Sequence, residues 1–328
     1  MKTALVILNL GLYNFDNCLD LSAFTNETSL VKTTLYDTCV GCDDAEILRR
    51  IGGSEVIITK EMKLSESLVR KLPSTARVIM EAGTGFNNLP ILACKEKNIA
   101  IVNVPAYSSK AVASLVITHM LNHASGIIAQ QRMLYDGDKS NFYDKLSVPS
   151  FELENKVIGL IGGTGAIGTC VKNAALALGM KVIIRSRTDT ASDDANVEIT
   201  SNLDHLLQNS DFISLHCPMS EETKHIINKV TLAKCKPTCH LINTARGGLV
   251  NEDDLLEALE KGVINSCSLD VTTVEPLDEQ CKLWDHPKVI LTPHMGWRRK
   301  ETRQRLVDML WTNVESWCRK DFVANRVA

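Results

Sequence analysis

Along almost the whole chain, short apolar runs alternate with longer stretches whose apolar positions recur every three or four residues. In the first third, residues 4–8, 55–59, 78–81 and 99–103 are apolar runs of strand length, and 44–51 and 65–71 between them carry helical spacing. Residues 109–136 then place Ala, Leu, Val, Ile and Met at helical spacing up to Gly137, which predicts one long connecting helix. A second series of strand-length runs follows at 157–161, 181–184, 212–216, 240–243, 266–269 and 289–292, most of them separated by helical stretches. Strands alternating with helices in this way are the pattern of βαβ units and parallel sheets, so the expected fold class is α/β. No repeat of solenoid period interrupts it.

Composition narrows the picture. A chain of 328 residues exceeds one ordinary core, and two domains are expected. The larger is placed at 103–296, and the smaller at 1–102 completed by the tail 297–328. Two crossings between them make a natural hinge, with a cleft where a small substrate would be closed off from water. The formal net charge of −3 leaves no excess of Lys and Arg to neutralise phosphates, which argues against nucleic-acid and membrane-surface partners. Eleven scattered cysteines, an odd number in a chain with a large core, read as reduced thiols of an intracellular protein. The close pairs Cys39/Cys42 and Cys235/Cys239 have no second ligand pair beside them and read as small buried hydrophobes. Asn9 and Asn14 interrupt the first apolar run, making it a buried strand rather than a signal peptide, and a cytoplasmic location is the expectation.

Candidate chemistry begins after the run 157–161, at Gly162-Gly163-Thr164-Gly165-Ala166-Ile167-Gly168, with a helical stretch beyond. A strand, G-x-G-x-x-G and a helix together form a dinucleotide-binding turn. One glycine makes the turn, one lets the backbone approach the pyrophosphate, and one packs helix on strand. The phosphates then sit where unpaired N–H groups of a helix start favour anions. The loop carries one residue more than the usual spacing, so either Gly162 or Gly163 is the first glycine. At the end of the second strand of this domain, where an acid would bind a ribose 2′-hydroxyl, stand Ser186, Arg187 and Thr188. Guanidinium and hydroxyl groups there bind a 2′-phosphate, and the expected cofactor is NADP(H), with NADPH preferred over NADH.

Three further segments carry a family likeness: Asn243-Thr244-Ala245-Arg246-Gly247-Gly248, Leu269-Asp270-Val271-Thr272-Thr273-Val274-Glu275-Pro276 and Thr292-Pro293-His294-Met295-Gly296-Trp297. At these the chain resembles the D-isomer-specific 2-hydroxyacid dehydrogenase family. Val104-Pro105-Ala106-Tyr107-Ser108 and the His294 string point within it to the glycerate dehydrogenases, or hydroxypyruvate–glyoxylate reductases. The resemblance implies a doubly wound Rossmann domain plus a smaller flavodoxin-like α/β substrate domain. It implies Arg246 as the substrate-binding arginine, His294 as the acid/base and Glu275 as its supporting carboxylate. It implies backbone N–H groups at Thr84 and Gly85 for the substrate carboxylate. Lining the cofactor it implies Ser109, His216, Cys217, Pro218, Thr223, Thr244, Ala245, Asp270 and Gly296, beside Gly163, Gly165, Ala166, Ile167 and Gly168 of the glycine turn. It also implies a homodimer formed through the long helix.

The residue types suit that chemistry. A planar guanidinium holds a carboxylate and an adjacent carbonyl in fixed orientation. Negative charge built on the carbonyl oxygen is quenched by an imidazolium proton, and a carboxylate on the other ring nitrogen sets the tautomer. The expected function is therefore NADPH-dependent reduction of hydroxypyruvate and glyoxylate to D-glycerate and glycolate. The alternatives are the same chemistry on another 2-keto acid and a dinucleotide-sensing co-repressor-like protein; no long extra tail for partner binding counts against the latter. His119 and His123, four apart on the long helix, lack the carboxylate a metal pair would need, and no metal is expected.

Overall fold

The computed structural model describes residues 2–26, 30–39, 41–143, 146–148, 150–323 and 325–328; Val40, inside the Cys39–Cys42 run, lies outside them. They form two compact units, Met1–Ser108 with Trp297–Ala328, and Ser109–Gly296. The chain passes between units at Ser108/Ser109, six residues beyond the expected 102/103, because Val104 and Tyr107 are buried in the core of the first unit.

In the first unit, β1 (Thr3–Ile7), β2 (Val31–Leu35), β3 (Val56–Thr59), β4 (Val78–Glu81) and β5 (Ala100–Val102) form a parallel sheet of order β2-β1-β3-β4-β5. Alternate residues of one strand serve opposite cores. Leu5 and Ile7 face a cluster completed by Leu306, Leu310 and Val314 of the tail helix Lys300–Arg319. Val6 and Leu8 face Ile47, Ile51 and Leu68 of helices Asp44–Ile51 and Glu66–Lys71. Burial on both faces is what makes the inner strands β1, β3 and β4 mostly apolar. The two helices begin where side chains cap them, Asp43 accepting from Glu46 N and Ser65 from Leu68 N.

The second unit holds β6 (Val157–Ile161), β7 (Lys181–Arg185), β8 (Val197–Thr200), β9 (Phe212–Leu215), β10 (His240–Asn243), β11 (Ser266–Leu269) and β12 (Val289–Leu291), parallel in the order β12-β11-β10-β9-β6-β7-β8. The order reverses between β6 and β9, the switch point where doubly wound sheets bind ligands at the strands' C-terminal ends. The single long helix expected over 109–136 is instead two, Ser109–Ser125 and Ile127–Tyr135, bent by 63°. Gly126 makes the break at φ 66°, with Asn122 accepting from both Gly126 N and Ile128 N. No single helix among the described residues is long and apolar enough to cross a membrane.

Of the two histidines weighed as a metal pair, His119 is buried and His123 is half-buried. His123 stacks on His240 with ring centroids 4.2 Å apart, and His240 lies between Ser266 Oγ at 2.8 Å and Ser268 Oγ at 3.0 Å. Burial holds His123 down at about 4 and His240 well below the ordinary imidazole range, so both are neutral packing groups. Among the described residues no group of three or more His, Cys, Asp or Glu is placed to hold a metal.

Candidate active site

The C-terminal ends of β7, β6, β9, β10, β11 and β12 succeed one another along one edge, roughly 24 Å at the usual strand spacing. Each is followed by one of the segments singled out from the sequence. In that order they are Ser186–Thr188, the glycine turn, His216–Pro218, Thr244–Arg246, Asp270 and His294.

At the glycine turn Gly162 has φ 85°, and a Cβ on it would stand 2.5 Å from Cys217 N. Gly163 and Gly168 pack on each other, since a Cβ on Gly168 would meet Gly163 Cα at 2.5 Å. Gly165 caps the helix Ala166–Ala177, and a Cβ there would meet only Gly162 O, at 3.5 Å. The open choice of first glycine is thereby divided: Gly162 makes the turn, while Gly163 receives the helix. Gly165 keeps the helix start, with Ala166 and Ile167 behind it, clear for a phosphate. Arg185 Nε, His216 Nε2 and Thr244 Oγ1, buried polar atoms without a partner among the described residues, belong to the segments along the same edge. The residues present therefore fit a nicotinamide dinucleotide.

Ser186 N donates to Thr200 O at 2.9 Å, and Arg187 and Thr188 stand exposed beyond it. Asp189, the first acid after the strand, is engaged elsewhere: its carboxylate accepts from Ser201 N, which holds its pKa below the usual range. Thr223 shapes the loop after β9, its Oγ1 donating to Pro218 O at 2.8 Å and accepting from Ser220 N at 2.8 Å.

Beyond β10, buried Asn243 sets the arginine loop by donating to Arg246 O at 2.8 Å and accepting from Ala245 N at 3.0 Å. Sequence reasoning missed it; an Asn at the last position of a buried strand is the signal that was there to find. Gly247 then lies against the 272–273 peptide, which brings the loop of Arg246 beside the segment of Glu275.

His294 sits just after β12 at φ 48°, a conformation side chains other than glycine avoid. Asp270 holds it there. Its carbonyl accepts from His294 N at 2.9 Å, and its carboxylate accepts from Thr292 Oγ1 at 2.6 Å, Met295 N at 2.9 Å and Gly296 N at 2.9 Å. Both carboxylate oxygens of Asp270 thus serve the turn that aims the imidazole. The ring's Nδ1 lies 2.7 Å from Glu275 Oε2, and Glu275 Oε1 accepts from Thr272 N at 3.1 Å. A carboxylate can only accept, so Nδ1 carries the proton and Nε2 is left for chemistry. Ser109 begins the first helix of this unit and is buried.

Thr84 and Gly85 belong to the other unit. There Gly83 O accepts from Val104 N at 2.9 Å and Thr84 O from Asn103 Nδ2 at 2.8 Å. The carbonyls are tied back, while the N–H groups of Gly83, Thr84 and Gly85 donate to no described residue. Consecutive free N–H groups form a nest for an anion.

Residues 117–296 match the model of the D-isomer specific 2-hydroxyacid dehydrogenase NAD binding domain. The chain is 33% identical over 295 residues to a hydroxypyruvate reductase of Blautia hydrogenotrophica, covering 88% of this chain and 90% of that one. It is 34% identical over 276 residues to a glycerate dehydrogenase of Methylorubrum extorquens, covering 83% and 85%. Its fold superposes on the crystal structure of a glyoxylate reductase from Paecilomyes thermophila with TM-score 0.83 and 25% identity, over 99% of this chain and 98% of that one.

Proposed function

We propose that this chain, which belongs to the D-isomer-specific 2-hydroxyacid dehydrogenase family, uses NADPH to reduce hydroxypyruvate and glyoxylate to D-glycerate and glycolate. Reduction of 2-keto acids is the family's chemistry. The observation that carries the reading here is the His294–Glu275 pair at 2.7 Å, set at the catalytic end of a dinucleotide-binding edge.

A bound nicotinamide supplies the hydride. The chain's own residues do the rest. Arg246 presents a guanidinium to the carboxylate and keto oxygen, fixing the carbonyl's orientation. His294 holds a proton at Nε2 and delivers it to the oxygen as charge builds there. Glu275, accepting from Nδ1–H, orients the ring and stabilises the imidazolium that precedes transfer. Relatives named hydroxypyruvate reductase and glycerate dehydrogenase support these substrates.

NADPH is favoured by the exposed Arg187 beside Ser186 and Thr188, together with the engagement of Asp189 at Ser201 N. The test follows NADPH and NADH absorbance with hydroxypyruvate, glyoxylate, pyruvate and a phenyl-substituted keto acid. The first two should be turned over fastest, and NADPH should be preferred. Arg187→Asp should lower the NADPH-to-NADH ratio of kcat/KM by about 10²-fold, the worth of a charge-assisted phosphate contact replaced by repulsion. An unchanged ratio removes the NADPH assignment, and inactivity on all four acids removes the function.

A homodimer through the Ser109–Ser125 and Ile127–Tyr135 helices is part of the same proposal. Leu121, Ile127, Tyr135, Phe142, Tyr143 and Phe151 leave large apolar side chains exposed on or near these helices, as an unpaired subunit face would. Light scattering should give twice the chain mass; a monomer at micromolar concentration overturns it.

A further inference from the structure

We propose that Lys60 is a positioning residue for the substrate carboxylate: its ammonium, sealed beneath the 82–87 loop, charges the nest made by the N–H groups of Gly83, Thr84 and Gly85. The inference rests on the 2-keto acid reading above and on the family likeness, which implies the Thr84 and Gly85 N–H groups as partners of the substrate carboxylate.

Lys60 follows β3, and its side chain is only 1% exposed. Its backbone is clamped by Asn9, whose Nδ2 donates to Lys60 O at 2.7 Å and whose Oδ1 accepts from Lys60 N at 2.9 Å. The Nζ lies 4.0 Å from the centre of the Trp297 ring and pairs with the Glu61 carboxylate. A Cβ on Gly83 would stand 3.3 Å from that Nζ, so the ammonium lies directly against the loop backbone.

Glu81 at the end of β4 binds the assembly together. Its Oε1 accepts from Glu61 N at 2.7 Å, and its Oε2 from Thr59 Oγ1 at 3.0 Å and Asn88 Nδ2 at 2.9 Å. Burial disfavours the charge of Lys60, yet Tyr107, Glu61 and Glu81 outweigh it and raise the pKa, so the ammonium keeps its proton. Burial pushes Glu81 upward.

As a space-filler a lysine is the costly choice, because a methionine of similar length would fill the site without desolvating a charge. What repays the cost is its place. Low-dielectric surroundings strengthen its attraction for an anion in the nest, whose three N–H groups donate to no described residue. Lys60 acts through the loop and is a positioning residue, since Trp297 and Glu61 cover the ammonium itself.

The experiment uses the full chain and three variants, Lys60→Met, Lys60→Arg and Glu61→Gln, with oxamate as the carboxylate probe read by calorimetry in the presence of NADPH. In Lys60→Met the oxamate Kd and the glyoxylate KM should both rise about tenfold, with kcat held within about threefold, as loss of a nearby charge predicts. Lys60→Arg should restore both. Glu61→Gln removes the counter-charge and should tighten oxamate binding, an effect of opposite sign that no structural damage would produce. An unchanged oxamate Kd in folded Lys60→Met, an Arg variant as weak as Met, or weaker oxamate binding by Glu61→Gln each overturns the assignment, as does a parent chain that does not bind oxamate. Should Lys60→Met fail to fold, the other two variants decide. If oxamate binding follows Lys60 while neither hydroxypyruvate nor glyoxylate is reduced, the proposed function fails and the Lys60 assignment stands.

Discussion

His294→Gln is expected to lower kcat by about 10²–10⁴-fold while leaving NADPH binding within about threefold of the parent chain. Gln keeps a hydrogen-bonding group near Nε2 but has no proton to give at neutral pH. The oxyanion formed on hydride transfer would then be quenched only by solvent. The cofactor-facing features do not depend on the ring. Gly162, Gly165 and the helix Ala166–Ala177 take their geometry from Cys217, Gly163 and β6. The ring's loss also leaves the turn standing, because Asp270 holds it through backbone N–H groups of residues 294, 295 and 296 and the Thr292 hydroxyl. Steady-state turnover with glyoxylate, set beside equilibrium titration of NADPH, separates the two effects. A near-parental kcat would remove His294 as the acid, and a parallel collapse of NADPH binding would make its role structural.

How much of this was legible beforehand depended on where burial lay. Central strands sealed on both faces are mostly apolar, and β3, β4, β6 and β9 could be read from that signal although Thr59, Glu81 and Ser214 lie in them. The edge strands could not. Val31–Leu35 reads Val-Lys-Thr-Thr-Leu and has β1 as its one neighbouring strand among the described residues; Val197–Thr200 reads Val-Glu-Ile-Thr and has β7, besides a single bridge from Ile199 to Thr190. Lys32, Thr34 and Glu198 are exposed on them, as an edge allows, so the apolar run that marks a strand is absent. The helix break at Gly126 was missed for a related reason. Apolar spacing continues across it, and one glycine in such a pattern is a weak stop signal until its φ is known.

At the candidate site, the residues proposed to carry the chemistry could be named from the sequence, and the residues that hold their loops in place could not. Arg246, Glu275 and His294 stand in strings that carry a family likeness. Asn243 and the turn-building use of Asp270 depend on which backbone groups fold back onto them, and no local spacing encodes that. The same holds for glycines. The turn at 162–168 announces itself by pattern, whereas the demand on Gly247 comes from a segment 25 residues away.

That demand yields the other large effect. Gly247→Ala is expected to cut kcat/KM by more than about 10²-fold and to cost about 2–3 kcal/mol of stability, at the upper end of overpacking penalties. Gly247 has no unusual φ to protect, so the cost is purely one of space. A Cβ there would stand 2.0 Å from Thr272 C, 2.1 Å from its O and 2.3 Å from Thr273 N. These are backbone atoms and cannot swing aside, so the 272–275 segment must move. Thr272 N is bonded to Glu275 Oε1 and Thr273 N to Glu252 Oε1, hence the displacement reaches the carboxylate that orients His294. Gly248→Ala is the control one residue on. Its Cβ would meet Met219 Sδ at 2.5 Å and nothing else closer than 3.9 Å, and a thioether at the end of a flexible chain can rotate away. Gly248→Ala should therefore stay within about threefold of parental kcat/KM. Steady-state kinetics and thermal melts of the two variants side by side decide the matter. Equal losses would mean that the loop tolerates no side chain at all, and the Gly247–Thr272 contact would lose its special place in setting the His294–Glu275 pair.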